Sequence, residues 1–276
     1  MKNLLILLFS ILISFNSYGE VELDFSSDAF CEKSPKIQIR QGLFYLPNQE
    51  EPYSGENLCV YLSNGQYYSQ GKINKGLRHS SWSYWNENGQ KSSERNFIEG
   101  KLVGETKYEY FWNDQIESKI TTKDGEVDGI ATSWYENGQK WMEGNYKDGE
   151  PDGELNSWHE NGQKKEEGNY KDDKLYGKWT RWHENGQIKS EEYYKNDKFD
   201  GKCTKWHENG QKEQEGNYND DKQDGKWTTW HENGKKYSEG KFKNGKTDGK
   251  WTWWHENGQK RAERNYKNGE CISGDC

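Results

Sequence analysis

The sequence predicts an all-β fold, an elongated single-layer antiparallel sheet built from tandem 24-residue β-hairpin repeats. Asn-Gly recurs every 24 residues, mostly within the string Trp-His-Glu-Asn-Gly-Gln; the asparagines are Asn137, Asn161, Asn185, Asn209, Asn233 and Asn257. A period of this length indicates small units that stack on their neighbours. A hydrophobic content of 29% would indicate disorder on its own, but 14 Trp and 18 Tyr argue against it.

Residues 1–19 are predicted to be a secretory signal peptide. Lys2 precedes an apolar run from Leu4 to Phe15, and small residues flank a cleavage point before Glu20. The apolar run is shorter than the roughly 20 residues that a spanning helix needs, and no second run follows. We therefore expect an exported chain, periplasmic or secreted, with no transmembrane segment after cleavage.

Residues 20–54 lack the repeat and are predicted to be an N-terminal cap segment, with a strand over residues 37–45. Residues 55–276 are predicted to hold about nine tandem repeats. One copy, at Trp112-Asn113-Asp114-Gln115, is degenerate and follows one extra residue, which predicts a β-bulge.

Each repeat is predicted to contribute two strands, as residues 225–248 illustrate. Asn233-Gly234 lies between two runs with aromatic and β-branched residues, which predicts a type I′ turn with positive φ at both residues. A second cluster of Asn, Gly and Asp, beginning at Asn244, reverses the chain again.

A two-residue turn at this place also predicts which side chains face each other. Trp230 should oppose Tyr237, and Trp227 should oppose Gly240, with the indole covering that glycine. The same counting places Trp134 opposite Trp141 and Trp206 opposite Glu213.

The repeat resembles the bacterial MORN repeat variant. The resemblance is carried by Gly-Lys-Trp-Thr-x-Trp-His-Glu-Asn-Gly-Gln-Lys, then Glu-Gly-Asn-Tyr-Lys-Asp, then Asp-Gly, and covers nearly all of the chain after residue 19. It implies an antiparallel hairpin array and, for the wider MORN group, interactions with proteins or lipid head groups. Many bacterial relatives are labelled antitoxin-like, so the resemblance also implies neutralisation of a partner protein as an alternative function.

The charge pattern argues against nucleic acid as a partner. The formal net charge is -8, and lysines alternate with aspartates and glutamates within each repeat. A protein that binds the phosphate backbone needs a basic stripe instead.

No metal site is predicted, although five histidines recur in register: His159, His183, His207, His231 and His255. Equivalent residues of adjacent repeats should lie two strands apart, roughly 9.6 Å, whereas two imidazoles on one zinc ion each approach it to about 2.0–2.1 Å. We expect these histidines to be mostly solvated residues that help to pack the turn.

Neither catalytic residues nor a cofactor site are predicted. The chain lacks a Ser-His-Asp, Cys-His or phosphate-loop arrangement at recognisable spacing. A near-identical unit repeated along a sheet also does not bring different side chains together in one concave pocket.

The five cysteines form two terminal pairs and a single residue. Pairing within each end, Cys31 with Cys59 and Cys271 with Cys276, is one of several connectivities and would staple the ends of the array. Cys203 stands where neighbouring repeats have tryptophan, so we expect a packed thiol.

The candidate binding surface is one row of recurring tryptophans: Trp158, Trp182, Trp206, Trp230 and Trp254. These side chains could serve only the cohesion of a sheet with few aliphatic residues. Aromatic planes about 10 Å apart would also suit stacking on the sugar rings of a polysaccharide.

The function predicted from the sequence is that of an exported, non-enzymatic repeat protein with an extended binding or scaffold surface for another protein. Weak contacts along the array would provide affinity without a deep pocket. A protein scaffold should depend on irregular residues such as 105–125. The alternatives are a cell-envelope glycan binder that uses the tryptophan row and an antitoxin-like neutraliser of a partner protein.

Overall fold

The computed structural model describes residues 29–30, 38–274 and 276. The predicted signal peptide, Cys31 and part of the predicted cap segment lie outside these residues. The described residues form strands and turns, and none of them belongs to a helix that could cross a membrane.

The chain divides into two compact units. One comprises residues up to Lys107 together with Thr122–Glu126, and the other comprises Tyr108–Thr121 with Val127–Cys276. The strands of the first unit are β1 (Ala29–Phe30), β2 (Gln38–Arg40), β3 (Leu43–Tyr45), β4 (Gly55–Tyr61), β5 (Tyr67–Asn74), β6 (Leu77–Trp85) and β7 (Lys91–Ile98).

Three strands have residues in both units: β8 (Lys101–Tyr110), β9 (Ile116–Lys123) and β10 (Glu126–Trp134). The remaining strands belong to the second unit: β11 (Lys140–Lys147), β12 (Glu150–Trp158), β13 (Lys164–Lys171), β14 (Lys174–Trp182), β15 (Ile188–Lys195), β16 (Lys198–Trp206), β17 (Lys212–Asn219), β18 (Lys222–Trp230), β19 (Lys236–Lys243), β20 (Lys246–Thr247), β21 (Gly249–Trp254), β22 (Lys260–Lys267) and β23 (Glu270–Gly274).

Within each unit the strands pair antiparallel in the order of the chain. In the first unit β4 to β7 pair consecutively, β1 pairs with β4, and β2 pairs with β3. In the second unit β10 to β19 pair consecutively, β20 and β21 both pair with β19, and β21 to β23 again pair consecutively. This arrangement confirms the predicted fold class, an all-β antiparallel array of tandem 24-residue hairpins.

The turn types differ from the prediction. At Asn233-Gly234 only Gly234 has a positive φ, 77°. The amide of Gly234 donates to the carbonyl of His231, and the amide of His231 donates to the carbonyl of Lys235, both at 2.9 Å. These bonds describe a type I turn followed by a glycine in the left-handed region, and the predicted type I′ turn is wrong at this place.

Within the repeats of the second unit, positive φ at two consecutive residues occurs at the second reversal of the chain. Asp220 and Asp221 have φ of 50° and 64°, and Asn244 and Gly245 have 52° and 80°. Asn, Asp and Gly tolerate this region best, which explains why they fill the second cluster of each repeat.

A register shift next to the tryptophan corrects the predicted cross-strand partners. Trp227 pairs with Gly240 as predicted, but its indole lies over Gly216, and Gly240 is covered by Trp251 instead. The shift between Thr229 and Trp230 makes Lys236 the partner of Trp230. The same shift pairs Trp134 with Lys140 and Trp206 with Lys212, so the predicted pairings with Trp141 and Glu213 are wrong. The physical reason for the shift is that the turn loop contains three residues rather than the predicted two.

The described part of the predicted cap segment is a hairpin rather than one strand. The segment bends at Gln41 and Gly42, whose φ values are 50° and 76°, so that β2 pairs with β3. Phe44 packs against a buried cluster of Ile73, Trp82, Tyr84 and Phe97 in the same unit.

The core of the second unit is a chain of aromatic side chains on successive strands. Ring contacts at centroid distances of 4.6–6.3 Å run through it without a gap. Its members are Tyr170, Trp179, Tyr194, Phe199, Tyr218, Trp227, Phe242, Trp251, Trp253 and Tyr266. Aromatic burial thus takes the part that aliphatic residues play in most cores.

Candidate binding surface

The first turns of the repeats form one edge of the sheet in the second unit, which we call the Asn-Gly edge. It consists of residues 111–115, 135–139, 159–163, 183–187, 207–211, 231–235 and 255–259. Within each turn the asparagine side chain accepts a hydrogen bond from the backbone two residues on, as from Gln211 N to Asn209 Oδ1 at 2.9 Å. The asparagine therefore shapes its own turn.

The same asparagines join each turn to the next. The Nδ2 group of Asn209 donates to the backbone carbonyl of Glu232 at 2.7 Å, and Asn185 makes the corresponding bond to Glu208 at 2.8 Å. Asn113, in the degenerate copy, donates to Glu136 in the same way at 3.0 Å. The recurring Asn-Gly pair therefore indicates both a turn and a hydrogen bond between adjacent repeats.

The recurring histidines form a second set of links. The Nε2 atom of His207 lies 3.2 Å from the carbonyl oxygen of Trp230, and His183 makes the same contact with Trp206 at 3.0 Å. Because a carbonyl only accepts, Nε2 must carry the proton. Tyr135 occupies the equivalent position and donates its hydroxyl to the carbonyl of Trp158 at 2.9 Å. These half-buried rings hold adjacent repeats together, so the predicted solvated role is wrong for them.

The five tryptophans of the candidate row lie at the ends of β12, β14, β16, β18 and β21, each next to the Asn-Gly edge; they are Trp158, Trp182, Trp206, Trp230 and Trp254. All five are half-buried. Their spacing of one per two strands follows the repeat, so the row extends along the sheet of the second unit.

Lysines of the preceding repeat lie over four of these rings. The Nζ atoms of Lys140, Lys164, Lys212 and Lys236 are 5.5–5.8 Å from the ring centroids of Trp158, Trp182, Trp230 and Trp254, respectively. Such ammonium groups make cation–π contacts and cover ring surface that a sugar would need. Ile188 occupies the corresponding position before Trp206.

These lysines are in turn paired with glutamates of their own strands. Lys212 Nζ donates to Glu215 Oε2 at 2.7 Å, and the bond lowers the pKa of Glu215. Lys236 does the same for Glu239 at 2.5 Å, again with a lowered pKa. The pairs fix the lysines over the rings, although exposed pairs of this kind contribute little to stability individually.

Two grooves open beside the row. One, of 640 Å³, is lined by His207, Glu213, Gln214, Thr229, Trp230, His231, Glu232, Asn233, Tyr237 and Glu256. The other, of 580 Å³, is lined by His231, Tyr237, Trp254, His255, Glu256, Asn257, Gln259 and Arg261. The first contains three carboxylates and no lysine or arginine, whereas the second contains one carboxylate and one guanidinium group.

The tip of the degenerate turn carries an exposed tryptophan. Trp112 is 85% exposed, and its position is occupied by glutamate in the six turns from residue 135 onward. The backbone of this turn is ordered by the hydrogen bonds from Phe111 N to Gln115 O at 2.8 Å and from Asp114 N to Phe111 O at 3.1 Å. Residues 105–125 are irregular in the sequence, as predicted for a partner-binding segment, but the sequence pattern did not predict the exposure of Trp112.

The hairpin of β15 and β16 holds a buried ionic cluster beside the aromatic core. Glu192, only 3% exposed, stands where the two neighbouring hairpins have glycine, and its register partner Cys203 stands where they have Trp179 and Trp227. Arg181 pairs with Glu192 and also with Glu166, the latter at 2.8 Å. The Tyr194 hydroxyl lies 3.2 Å from Glu192, which satisfies the carboxylate further.

The structure gives the bonding state of four of the five cysteines. Cys271 and Cys276 form a disulfide with a Cα–Cα distance of 6.0 Å. Cys59 is also disulfide-bonded, while Cys31 lies outside the described residues. Cys203 is a free thiol, 1% exposed, and burial raises its pKa from 9.0 to about 11. The neutral thiol is therefore the stable form, as expected of a packed residue.

The histidine series does not form a metal centre. In the part of the chain that the structure describes, no group of three or more His, Cys, Asp or Glu side chains could hold a metal ion. Equivalent histidines contact backbone carbonyls of successive repeats instead of converging.

Comparison with known proteins identifies the repeat. A family model described as the MORN repeat variant matches residues 127–148, 151–172, 175–196, 199–220, 223–244 and 247–268. No curated protein matches the sequence. The matches divide the described second unit at the same places as its hairpins.

The comparison with solved structures does not inform the fold or the function of this chain. A chain of the structure described as "Crystal Structure of TcdB2-TccC3-Cdc42" aligns at 11% identity with a TM-score of 0.27, over 76% of this chain and 13% of that one. An alignment at that TM-score says nothing about fold or partners. The family model, together with the hairpin geometry, shows that residues 127–268 are six tandem MORN repeat variants.

Proposed function

We propose that this chain is an exported, non-enzymatic repeat protein whose Asn-Gly edge is a binding surface for another protein. MORN repeats in residues 127–268 support a scaffold role, since such arrays present extended surfaces rather than deep pockets. The observation that carries the proposal is Trp112, which exposes 85% of its surface at a turn tip where the later repeats have glutamate. Tryptophan is enriched among the residues that dominate protein interfaces.

The glycan alternative is less well supported. Sugar stacking needs open ring faces, but the five tryptophans of the row are half-buried, and lysines lie over four of them. An antitoxin-like activity would be a special case of the proposed role, in which the bound protein is inactivated. It would require a partner in the same compartment as this chain.

Export rests on the sequence of residues 1–19 and is part of the proposal. A fusion of residues 1–30 to a reporter that is active only outside the cytoplasm should give activity. Replacing Leu5 and Leu8 with aspartate should abolish that activity, because the charges interrupt the apolar run. Activity that persists in the aspartate variant would contradict export by this segment.

The binding proposal is tested with Trp112→Glu, which restores the residue of the later turns. The tagged mature chain is mixed with an envelope extract, and bound proteins are identified by mass spectrometry. A specific partner should be retained by the wild type and lost from Trp112→Glu. The matched control is Ile188→Lys, which also restores a repeat residue at an exposed position and should keep the partner.

The same proteins distinguish the glycan alternative. Wild type and Trp206→Phe are sedimented with insoluble cell-wall material, with and without soluble glycan as competitor. The proposal predicts that the chain stays in the supernatant. Sedimentation that soluble glycan reverses and that Trp206→Phe weakens would overturn it in favour of glycan binding.

A further inference from the structure

The groove beside Trp230 is lined both by residues at constant repeat positions and by residues at variable ones. Several groove residues, including Trp230, Glu232, Asn233 and Glu256, belong to repeat positions that never change in residues 127–268. Four others, Glu213, Gln214, Thr229 and Tyr237, belong to positions that change in almost every repeat. A constant frame with variable lining residues is the pattern expected of a surface that discriminates between ligands.

One of these variable positions is exposed in several repeats, and we call it the selector position. Its occupants are Trp141, Lys165, Lys189, Glu213, Tyr237 and Arg261. The residue immediately before it is lysine in five of the same six repeats, at a similarly accessible place on the strand. Exposure alone therefore does not explain why the selector position varies in charge and size.

Selector residues alternate with the constant tryptophans from strand to strand. Glu213 on β17, Trp230 at the end of β18 and Tyr237 on β19 line the same groove. In the neighbouring groove Tyr237, Trp254 and Arg261 take the same places. The two grooves therefore share one construction and differ in the selector residue.

The groove at Glu213 combines acidic and aromatic side chains. Carboxylates of Glu213, Glu232 and Glu256 line it, together with the rings of Trp230 and Tyr237, and neither lysine nor arginine is among its lining residues. Lys212 lies over Trp230 and is paired with Glu215, so the ring open for stacking is that of Tyr237. Tyr237 is 40% exposed, so its ring is accessible.

We propose that this groove binds an arginine side chain from an extended segment of the partner protein. The guanidinium group is planar, stacks on aromatic rings and donates to two carboxylate oxygens at once, which fits walls of this composition better than an ammonium group does. The volume of 640 Å³ lies within the range of about 300–1,000 Å³ that is typical of ligand sites. This inference rests on the proposed function, because it describes how the same edge selects its partner.

The selector residue then sets the charge preference of each groove. Arg261 in the neighbouring groove opposes the single carboxylate of Glu256, so that groove should not attract a cation. Exchanging the two selector residues should exchange the two preferences. This prediction follows from the shared frame and does not need the identity of the partner.

The test is an NMR titration of the mature chain with N-acetyl-arginine amide, using N-acetyl-citrulline amide as its uncharged isostere. The indole N–H signal of Trp230 is assigned with Trp230→Phe. Arginine amide should shift this signal saturably, and citrulline amide should not. Glu213→Lys should weaken the effect by about tenfold or more, the cost of losing one charge-assisted hydrogen bond and adding a repulsion.

The variants are matched to the repeats. Lysine already occupies the selector position at Lys165 and Lys189, so Glu213→Lys should fold normally, as checked by the unchanged spectrum of the other indoles. Glu270→Lys, at an exposed position just after a second turn, makes the same change in net charge and should leave the titration unaltered. Arg261→Glu should make the Trp254 signal respond to arginine amide.

The inference is overturned if arginine and citrulline amides act alike, if Glu213→Lys binds as the wild type does, or if the Trp230 signal shows no saturable shift. None of these results affects the Trp112-dependent capture of a partner protein, so a failure of the groove and a failure of the proposed function can be told apart.

Discussion

At single residues, the clearest constraint is the contact between a strand glycine and the indole of the following repeat. A Cβ atom on Gly216 would lie less than 3.0 Å from the ring atoms of Trp227, and one on Gly240 would meet Trp251 in the same way. The indole nitrogen of Trp227 also donates to the carbonyl of Asn217 at 3.1 Å, which fixes the ring over the glycine. Glycine is required here by close approach rather than by backbone conformation.

Gly216→Ala is therefore expected to lower the free energy of unfolding by about 1–3 kcal/mol, the usual cost of overpacking a tight site. Urea denaturation measures the change. Gly104→Ala is the matched control, because its nearest new contact is at 3.4 Å. A Gly216→Ala variant as stable as Gly104→Ala would contradict the packing described for Trp227.

The histidine links give a second prediction for a single residue. His207→Ala removes the hydrogen bond to Trp230 and should cost about 1 kcal/mol of unfolding free energy. His207→Tyr should recover most of this loss, because Tyr135 makes the equivalent bond to Trp158. His255→Ala, at an exposed ring, serves as the control and should change stability little. Equal losses for His207→Ala and His207→Tyr would argue against a linking role.

At the level of elements, the hairpin formed by β15 and β16 breaks a rule that its neighbours keep. Glu192 and Cys203 together replace the Gly and Trp of the two neighbouring hairpins, and this joint replacement has a steric reason. A tryptophan at position 203 would have to lie over a residue with a side chain. The small thiol leaves room for Glu192, which Arg181 and Tyr194 then neutralise and hydrogen-bond.

We expect the substitutions at these two positions to be strongly coupled. Cys203→Trp alone should destabilise the protein by about 2–3 kcal/mol through overpacking. The double variant Glu192→Gly/Cys203→Trp restores the arrangement of the neighbouring repeats and should be at least as stable as the wild type. A double-mutant cycle in urea measures the coupling. Additive effects of the two substitutions would show that Trp and Glu do not compete for the same space.

The repeat period was sufficient to predict the hairpins, but not their geometry. The sequence predicts a type I′ turn at Asn233-Gly234 because Asn-Gly is common in turns of that type. In the structure, however, the Asn233 side chain accepts a hydrogen bond from Lys235 N and donates one to the carbonyl of Glu256. The positive φ pair lies instead at the second turn, for example at Asn244 and Gly245. Which of two Asn-rich turns takes which form depends on contacts between repeats, which local sequence does not show.

The candidate site was predicted only in part. The row from Trp158 to Trp254 could be predicted because tryptophan recurs there in every repeat. The burial of these rings and the placement of lysines over them depend on the register shift after Thr229 and its equivalents, which the sequence does not show. Trp112 could have been found by aligning the degenerate turn with the others and noting tryptophan in place of glutamate. The selector position could likewise be read from the repeats, but only the structure places Glu213 and Tyr237 in one groove with Trp230.

For the whole molecule, buried acids predict a loss of stability in alkali. Burial raises the pKa of Cys203 from 9.0 to about 11 and those of Tyr146 and Tyr170 from 10.0 to about 12. The unfolded chain therefore releases these protons first, so it binds fewer protons than the folded chain between pH 9 and about 12. Stability should be fully present below pH 9 and fall as pH rises through this window.

Urea midpoints at pH 8, 9, 10 and 11 test this expectation. Cys203→Ala removes the group that titrates first in the unfolded chain, so its stability should depend less on pH between 9 and 10 than that of the wild type. A midpoint that stays constant up to pH 11, or the same pH dependence in both proteins, would be incompatible with the burial assigned to these groups.

The most direct test of the central claim is site-specific photo-crosslinking in the native host. A photoreactive residue is placed at Asp114 or Glu232, both on the Asn-Gly edge, and in a matched chain at Asn244, in a second turn. The account predicts that the two edge positions crosslink the same protein and that position 244 does not. Crosslinks from position 244 alone, or none from either edge position, would contradict it.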